Sequence, residues 1–78
     1  AAVKQVEDIT YLRGTIGFEN LPENLVETAF ARLENPEAAL KELGQAMTPP
    51  VGKSGINHRL RKLSEMADKV RLERGGLL

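Results

Sequence analysis

The stretch TPPVGKSGINHRLRKL, residues 48–63, carries the groups best suited to binding phosphate. It contains Gly52-Lys53-Ser54, which is how a nucleotide-binding P-loop ends. It also holds four basic residues and no acid between Lys53 and Lys62. Such charge attracts the phosphates of a nucleotide or of a nucleic acid, or it forms an ordinary solvated helix face.

The P-loop interpretation fails on position and context. The motif needs a glycine five residues before Gly52, where the chain has Met47. The loop must also follow a strand, whereas a helix is predicted here, and Pro49 and Pro50 lack the amide donors of a phosphate cradle. What remains is a helix that starts near Gly52, whose free N–H groups and positive dipole end favour phosphate.

Composition narrows the function classes. With 78 residues, no cysteine and one histidine, the chain predicts a single domain with no disulfide, no metal site and no cofactor. No apolar run approaches the ~20 residues of a membrane span, and no signal-peptide pattern opens the chain, so we expect a cytoplasmic protein without a membrane partner. No nucleophile–base pair is apparent, and we expect no enzyme.

Charge is distributed unevenly although it sums to zero. Residues 1–50 carry four basic and eight acidic side chains, net −4, whereas residues 51–78 carry seven basic and three acidic, net +4. Because salt screens charges beyond about 8–10 Å, a basic face can attract phosphate in a neutral domain.

Helical spacing predicts an all-α domain of four helices. The first covers residues 2–16, with apolar residues at three-residue steps from Val3, and stops near Gly17. The second starts at Pro22 and ends near Glu34. Asn35-Pro36-Glu37 predicts the start of a short third helix, with Asn35 as its cap, which Thr48-Pro49-Pro50 ends.

The fourth helix should begin near Gly52 or Lys53 and bury a stripe formed by Ile56, Leu60, Leu63, Ala67 and Val70. A short helix, a tight turn and a longer basic helix form the outline of a helix-turn-helix. At 100° per residue, Arg59 falls on a flank beside the core, whereas the outward side holds Lys53, Ser54, Asn57, His58, Arg61 and Lys62.

The phrases LENPEAALKELG and KSGINHRLRKL closely resemble the C-terminal domain of the WhiA family of bacterial transcription regulators. The resemblance implies a helix-turn-helix akin to region 4 of sigma factors, with extra residues in the turn at Pro49-Pro50. It also implies an N-terminal domain like a LAGLIDADG homing endonuclease in the full-length protein. The implied activity is sequence-specific DNA binding at promoters of sporulation or cell-division genes, at the nucleoid.

We therefore expect three regions: residues 1–19 as an N-terminal helix and connector continuing a linker, 20–72 as the DNA-binding domain, and 73–78 as a tail. The fourth helix would enter the major groove of double-stranded DNA from about Lys53. Phosphate contacts are assigned to Lys53, Arg59 and Lys62, and base contacts to Ser54, Asn57, His58 and Arg61. The alternative is a module that docks on RNA polymerase or a partner regulator through acids Glu23, Glu27, Glu34, Glu37 and Glu42.

Overall fold

The computed structural model describes residues 3–75, which form four α-helices and one short 3-10 helix without any strand. The helices are α1 (Val3–Thr15), the 3-10 helix (Phe18–Asn20), α2 (Glu23–Glu34), α3 (Leu40–Gln45) and α4 (Lys53–Gly75). The predicted all-α, four-helix class is confirmed. Across this part of the chain, no helix has both the length and the hydropathy that a membrane crossing needs.

The end of α1 and the start of α2 follow the local sequence signals. Gly17 has φ 78, in the left-handed region that favours glycine, and its N–H donates to the carbonyl of Leu12 at 3.0 Å. Pro22 lies one residue before α2, and its carbonyl accepts hydrogen bonds from the N–H groups of Leu25 and Val26. Proline suits this place because it lacks the amide that would be left unpaired.

The predicted start of the third helix at Asn35 is wrong, since α3 begins at Leu40. Asn35 instead ends α2, where both its backbone N–H (3.0 Å) and its side-chain Nδ2 (3.3 Å) donate to the carbonyl of Ala31. The N-terminus of α3 uses Glu42, whose carboxylate accepts the N–H of Ala39 at 3.2 Å.

A buried arginine keeps the segment between α2 and α3 out of the helix. Arg32 is 3% exposed, and its Nη1 donates to the carbonyls of Asn35 (3.4 Å), Pro36 (3.1 Å) and Ala38 (2.9 Å). Those carbonyls point toward Arg32 and so are not aligned along a helix axis. A contact from a different element therefore overrides the local capping signal.

The core lies along α4, because α1, α2 and α3 all pack against it. The predicted stripe is confirmed at Ile56, Leu60, Leu63 and Ala67, which are at most 1% exposed, whereas Val70 is half-buried. The other helices and their connections bury Ile9, Leu12, Leu21, Leu25, Ala29, Leu43 and Met47 against it.

The buried face of α1 differs from the three-residue pattern. A step of three residues turns a helix by 300°, so Val3 lies about 180° from Leu12 and the two cannot both face the core. Val3 is 64% exposed, and Asp8 is buried beside Ile9.

The predicted N-terminal region, residues 1–19, and the predicted tail, residues 73–78, both overlap helices of the structure. Residues 3–15 pack on α4 as α1, and the boundary at residue 73 falls inside α4, which continues to Gly75. The remainder of the predicted tail, residues 76–78, lies outside the described residues.

Candidate nucleic-acid interface

A close backbone contact fixes the turn between α3 and α4. The carbonyl of Gly44 accepts the N–H of Val51 at 2.8 Å and that of Met47 at 3.2 Å. A Cβ on Gly44 would collide with the carbonyl oxygen of Val51. Glycine is therefore required at this position in α3 for the chain to turn back and start α4 where it does.

The tip of the turn is exposed and is tied to α2 by one side chain. Thr48, Pro49 and Pro50 are all exposed, and the Thr48–Pro49 peptide bond is cis. The N–H of Thr48 donates to Oε2 of Glu27 at 3.0 Å.

The first turn of α4 presents unpaired amides and no acid. The carbonyl of Gly52 accepts the N–H of Ile56 at 3.0 Å, which leaves the amides of residues 53–55 without intrahelical acceptors, as at the start of any α-helix. Gly52 and Lys53 are exposed, and the first turn holds no acidic side chain. An anion at this end would meet N–H donors and the positive end of the helix dipole.

The structure brings six of the seven predicted site residues onto one exposed face at the start of α4. None of the six side chains forms a hydrogen bond or ion pair within residues 3–75, so all are free to meet a ligand. The buried Ile56 and Leu60 hold the opposite face of the same turns against the core. The six are Lys53, Ser54, Asn57, His58, Arg61 and Lys62.

Arg59 is placed apart from this face. Its side chain is 20% exposed and lies on the α2 side of α4, where Nη1 is 3.8 Å from Oε1 of Glu27. That distance is too long for a hydrogen bond, and within the described residues Nη1 is buried without a hydrogen-bond partner. A phosphate contact from Arg59 would require the guanidinium to leave Glu27.

A second charged cluster joins the far half of α4 to α1. Asp8, whose side chain is 1% exposed, accepts hydrogen bonds from Lys4 (2.9 Å) and Arg71 (2.5 Å). The guanidinium of Arg71 also lies over the ring of Tyr11, 4.6 Å from its centroid. Burial alone would raise the pKa of Asp8, but the hydrogen bonds from Lys4 and Arg71 outweigh it and hold that pKa below the ordinary 3.8.

The family model for the WhiA C-terminal HTH domain matches residues 1–67. The chain belongs to this family. A "Probable cell division protein WhiA" from Lachnoclostridium phytofermentans is 56% identical over 71 residues, which cover 91% of this chain and 23% of that protein. Another from Desulforamulus reducens is 58% identical over 71 residues, covering 91% and 22% respectively.

The fold also matches a solved WhiA structure, the crystal structure of "full-length DUF199/WhiA from Thermatoga maritima". The TM-score is 0.80 at 34% identity, over 87% of this chain and 23% of that one. The chain thus spans about a quarter of the length of the relatives that it matches. The WhiA family model is described by a helix-turn-helix and not by a catalytic activity.

Two residues that shape the turn before α4, Gly44 and Glu27, were not predicted from the sequence to do so. An isolated glycine inside a predicted helix costs about 1 kcal/mol relative to alanine, which is a signal for close packing at Gly44. Glu27 gives no such signal, because a glutamate on an amphipathic helix looks like any solvated acid until the tertiary structure places Thr48 beside it.

Proposed function

We propose that this domain binds double-stranded DNA with sequence preference, as part of a bacterial transcription regulator of the WhiA family. The start of α4 would enter the major groove, as the second helix of a helix-turn-helix does. The observation that carries the proposal is the exposed face of six polar and basic side chains, free of acids and of partners within residues 3–75. A solvated surface helix has no need to keep acids away from its basic residues.

The residue types on this face divide by chemistry. Lys53 and Lys62 suit phosphate, because a flexible ammonium neutralises charge without demanding one geometry. Asn57 can bond adenine bidentately, and Arg61 can do the same to guanine. Ser54 and His58 can donate to or accept from base edges or phosphates.

Arg59 is the exception among the assigned contacts. Its phosphate contact remains part of the proposal, on the condition that the ion pair with Glu27 opens when DNA binds.

The wider setting is proposed on the family resemblance and on the relatives' names. Those relatives are called cell division proteins, so cell-division genes are the first candidate targets, and sporulation genes are the second. The rest of the full-length protein, about three quarters of its relatives' length, would contain the LAGLIDADG-like domain. Such a regulator would act in the cytoplasm, at the nucleoid.

A selection experiment tests DNA binding and identifies the preferred site at the same time. The chain would first be used to enrich duplexes from a random pool, and the selected and scrambled duplexes would then be titrated at several salt concentrations. We expect a preference for the selected duplex and a linear fall of log K with log salt, with a slope of roughly −0.9 per phosphate neutralised. A flat salt response, or no enrichment after selection, would rule out the proposal.

A matched pair of lysine variants localises the interface. Lys62→Ala should weaken binding to every duplex and reduce the slope by about one phosphate. Lys69→Ala removes the same charge from an exposed position further along α4 and should leave both quantities unchanged. Equal effects of the two variants would show that charge acts diffusely and that the face is not a defined interface.

A protein-docking function is the second candidate, favoured by one observation. Phe30 is 48% exposed on α2 and packs edge-on against Phe18, with ring centroids 5.0 Å apart, and the same helix carries the exposed acids Glu23 and Glu34. Such a surface suits a basic and apolar partner, for which RNA polymerase or a partner regulator is proposed. Capture of purified RNA polymerase that survives reversal of the charges at Lys53 and Arg61, but not Phe30→Asp, would favour docking over DNA binding.

A further inference from the structure

Glu27 connects three elements that together set the position of α4. It lies on α2, accepts the Thr48 amide of the α3–α4 turn at 3.0 Å through Oε2, and lies 3.8 Å from Arg59 of α4 through Oε1. Its side chain is 35% exposed, and its hydrogen bond with Thr48 lies at the protein surface.

The Thr48 bond is the one link between the amides of the turn and α2. Among residues 46–51, the amides of Ala46, Met47 and Val51 all bond to carbonyls of α3, and the two prolines have no N–H. Thr48 alone donates elsewhere, and its acceptor is Glu27. Without that acceptor, the amides of the turn would bond only to α3, and the remaining link to α2 would be the buried Met47, whose Sδ accepts from Oγ1 of Thr28 at 3.6 Å.

The Arg59 contact restrains α4 itself. Nη1 of Arg59 is buried without a hydrogen-bond partner in the described residues, and a buried cation is costly unless an opposite charge is near. Glu27 supplies that charge. The carboxylate of Glu27 on α2 therefore contacts both the turn before α4, at Thr48, and the first half of α4, at Arg59.

We propose that Glu27 is a positioning residue for DNA recognition, which holds α4 at the angle at which its exposed face meets the groove. This inference rests on the proposed DNA binding. A carboxylate beside a DNA-binding face repels phosphate, so Glu27 contributes through geometry and opposes affinity through its charge. Removing it should therefore have two effects of opposite sign.

The first effect concerns affinity for any sequence. In Glu27→Ala, Arg59 reaches phosphate without first breaking its ion pair with Glu27, so binding to a scrambled duplex of about 20 base pairs should tighten. The slope of log K against log salt should stay at the wild-type value, because Arg59 contacts phosphate in both proteins. The double variant Glu27→Ala/Arg59→Ala should lose the gain in affinity, and its slope should be less negative by about 0.9, the value for one lost phosphate contact.

The second effect concerns discrimination. The ratio of affinities for a selected and a scrambled duplex should fall by about five- to tenfold in Glu27→Ala, as expected for loss of one hydrogen bond that orients α4. Glu27→Gln keeps an acceptor for Thr48 but loses the charge, so it should recover most of the ratio while retaining the tighter binding to the scrambled duplex. If Glu27→Ala only damaged the fold, it would weaken binding to the selected duplex and to the scrambled duplex alike. It would not tighten binding to the scrambled duplex while lowering the ratio.

Glu34→Ala provides the control. It removes the same charge from the other end of α2, where Glu34 has no side-chain hydrogen bond or ion pair within residues 3–75. Its ratio and its slope should match the wild type. An equal loss of ratio in Glu34→Ala and Glu27→Ala would overturn the proposal.

A measurement without DNA separates the possible failures. Hydrogen exchange of the Thr48 amide should quicken about tenfold in Glu27→Ala, and should be restored in Glu27→Gln, with folding checked from the other amides. Unchanged exchange of the Thr48 amide in Glu27→Ala would overturn the proposal, because Glu27 would then not hold the turn. If the wild type shows no preference between duplexes, the proposed function fails and this inference with it. If the wild type shows a preference that Glu27→Ala keeps within about twofold, this inference alone fails.

Discussion

Arg71 Nη1 donates a 2.5 Å hydrogen bond to Oδ1 of Asp8, a residue 63 positions earlier in the chain. The bond joins the C-terminal half of α4 to the middle of α1, far from the exposed face at the start of α4. The side chain of Asp8 is buried, so its negative charge is compensated by the positive charges of Arg71 and Lys4 and not by water. The contact between the two helices should therefore depend on the ionisation of Asp8.

Stability should fall in acid through Asp8. Its folded-state pKa lies below 3.8, so the carboxylate stabilises the fold above that pH, and the contribution disappears as the pH falls through the folded pKa. Asp8→Asn removes this dependence. We expect the melting temperature of the wild type to exceed that of Asp8→Asn by a constant amount above about pH 5, with the gap closing below about pH 4.

Glu7→Gln is the control for that experiment, because Glu7 is exposed on the same helix and has no ion pair within the described residues. Its melting temperature should follow the wild-type pH curve. A gap between wild type and Asp8→Asn that persists unchanged at about pH 2 would contradict the assignment.

Two glycines should respond in opposite directions to alanine. Gly44→Ala forces a Cβ against the carbonyl of Val51, and should reduce the free energy of unfolding by about 1–3 kcal/mol, as overpacking does. Gly14→Ala adds a Cβ on α1 where no atom lies within 4 Å, and should increase it by about 0.5–1 kcal/mol, because alanine favours the helix. Urea unfolding measures both, and changes of the same sign would refute the packing argument.

Arg32 should contribute to stability through the hydrogen bonds of its guanidinium. Arg32→Leu keeps the apolar stem but leaves the carbonyls of Pro36 and Ala38 without the Arg32 donor, at a cost of about 1–3 kcal/mol, while the carbonyl of Asn35 still accepts the N–H of Ala38. Arg32→Lys should recover part of the loss, because all the bonds come from the single nitrogen Nη1 and an ammonium also carries its N–H donors on one nitrogen. Thermal unfolding would detect the loss, with the exposed Arg13→Leu as a control expected within about 0.5 kcal/mol of wild type. Comparable losses at the two arginines would contradict this role.

Arg61 should affect sequence preference more than general affinity. If Arg61 bonds a base, Arg61→Ala costs about 1–3 kcal/mol on the selected duplex and relaxes preference at one base pair. Titration of selected duplexes with single base-pair substitutions would locate that position. A uniform loss across all duplexes would reassign Arg61 to phosphate.

Much of the fold follows from apolar spacing and from residues that stop helices. The stripe of α4 was predictable because Ile56, Leu60 and Leu63 repeat at steps of four and three residues, and that period alone selects one face. The stop at Gly17 was predictable for a similar local reason, since only glycine adopts its backbone angle without strain.

The parts that failed depend on polar side-chain contacts that apolar spacing does not encode. The capping signal at Asn35 lost to Arg32, which draws the following carbonyls out of helical alignment. The burial of Asp8 was not predicted, because its partner Arg71 is on another helix. The exposure of the six residues on α4 and the position of Arg59 on a flank followed from the same period as the core, whereas the pairing of Arg59 with Glu27 depends on how α2 packs.

The length of α4 makes it a lever. Residues 57 and 71 lie about 21 Å apart along the axis, at about 1.5 Å per residue. A tilt of about 10° that pivots where Arg71 meets Asp8 would carry Asn57 by roughly 4 Å, which exceeds the rise of one base pair, about 3.4 Å. If α4 binds DNA as proposed, substitutions in α1 can therefore shift the base pair that Asn57 faces, while every contact residue stays the same.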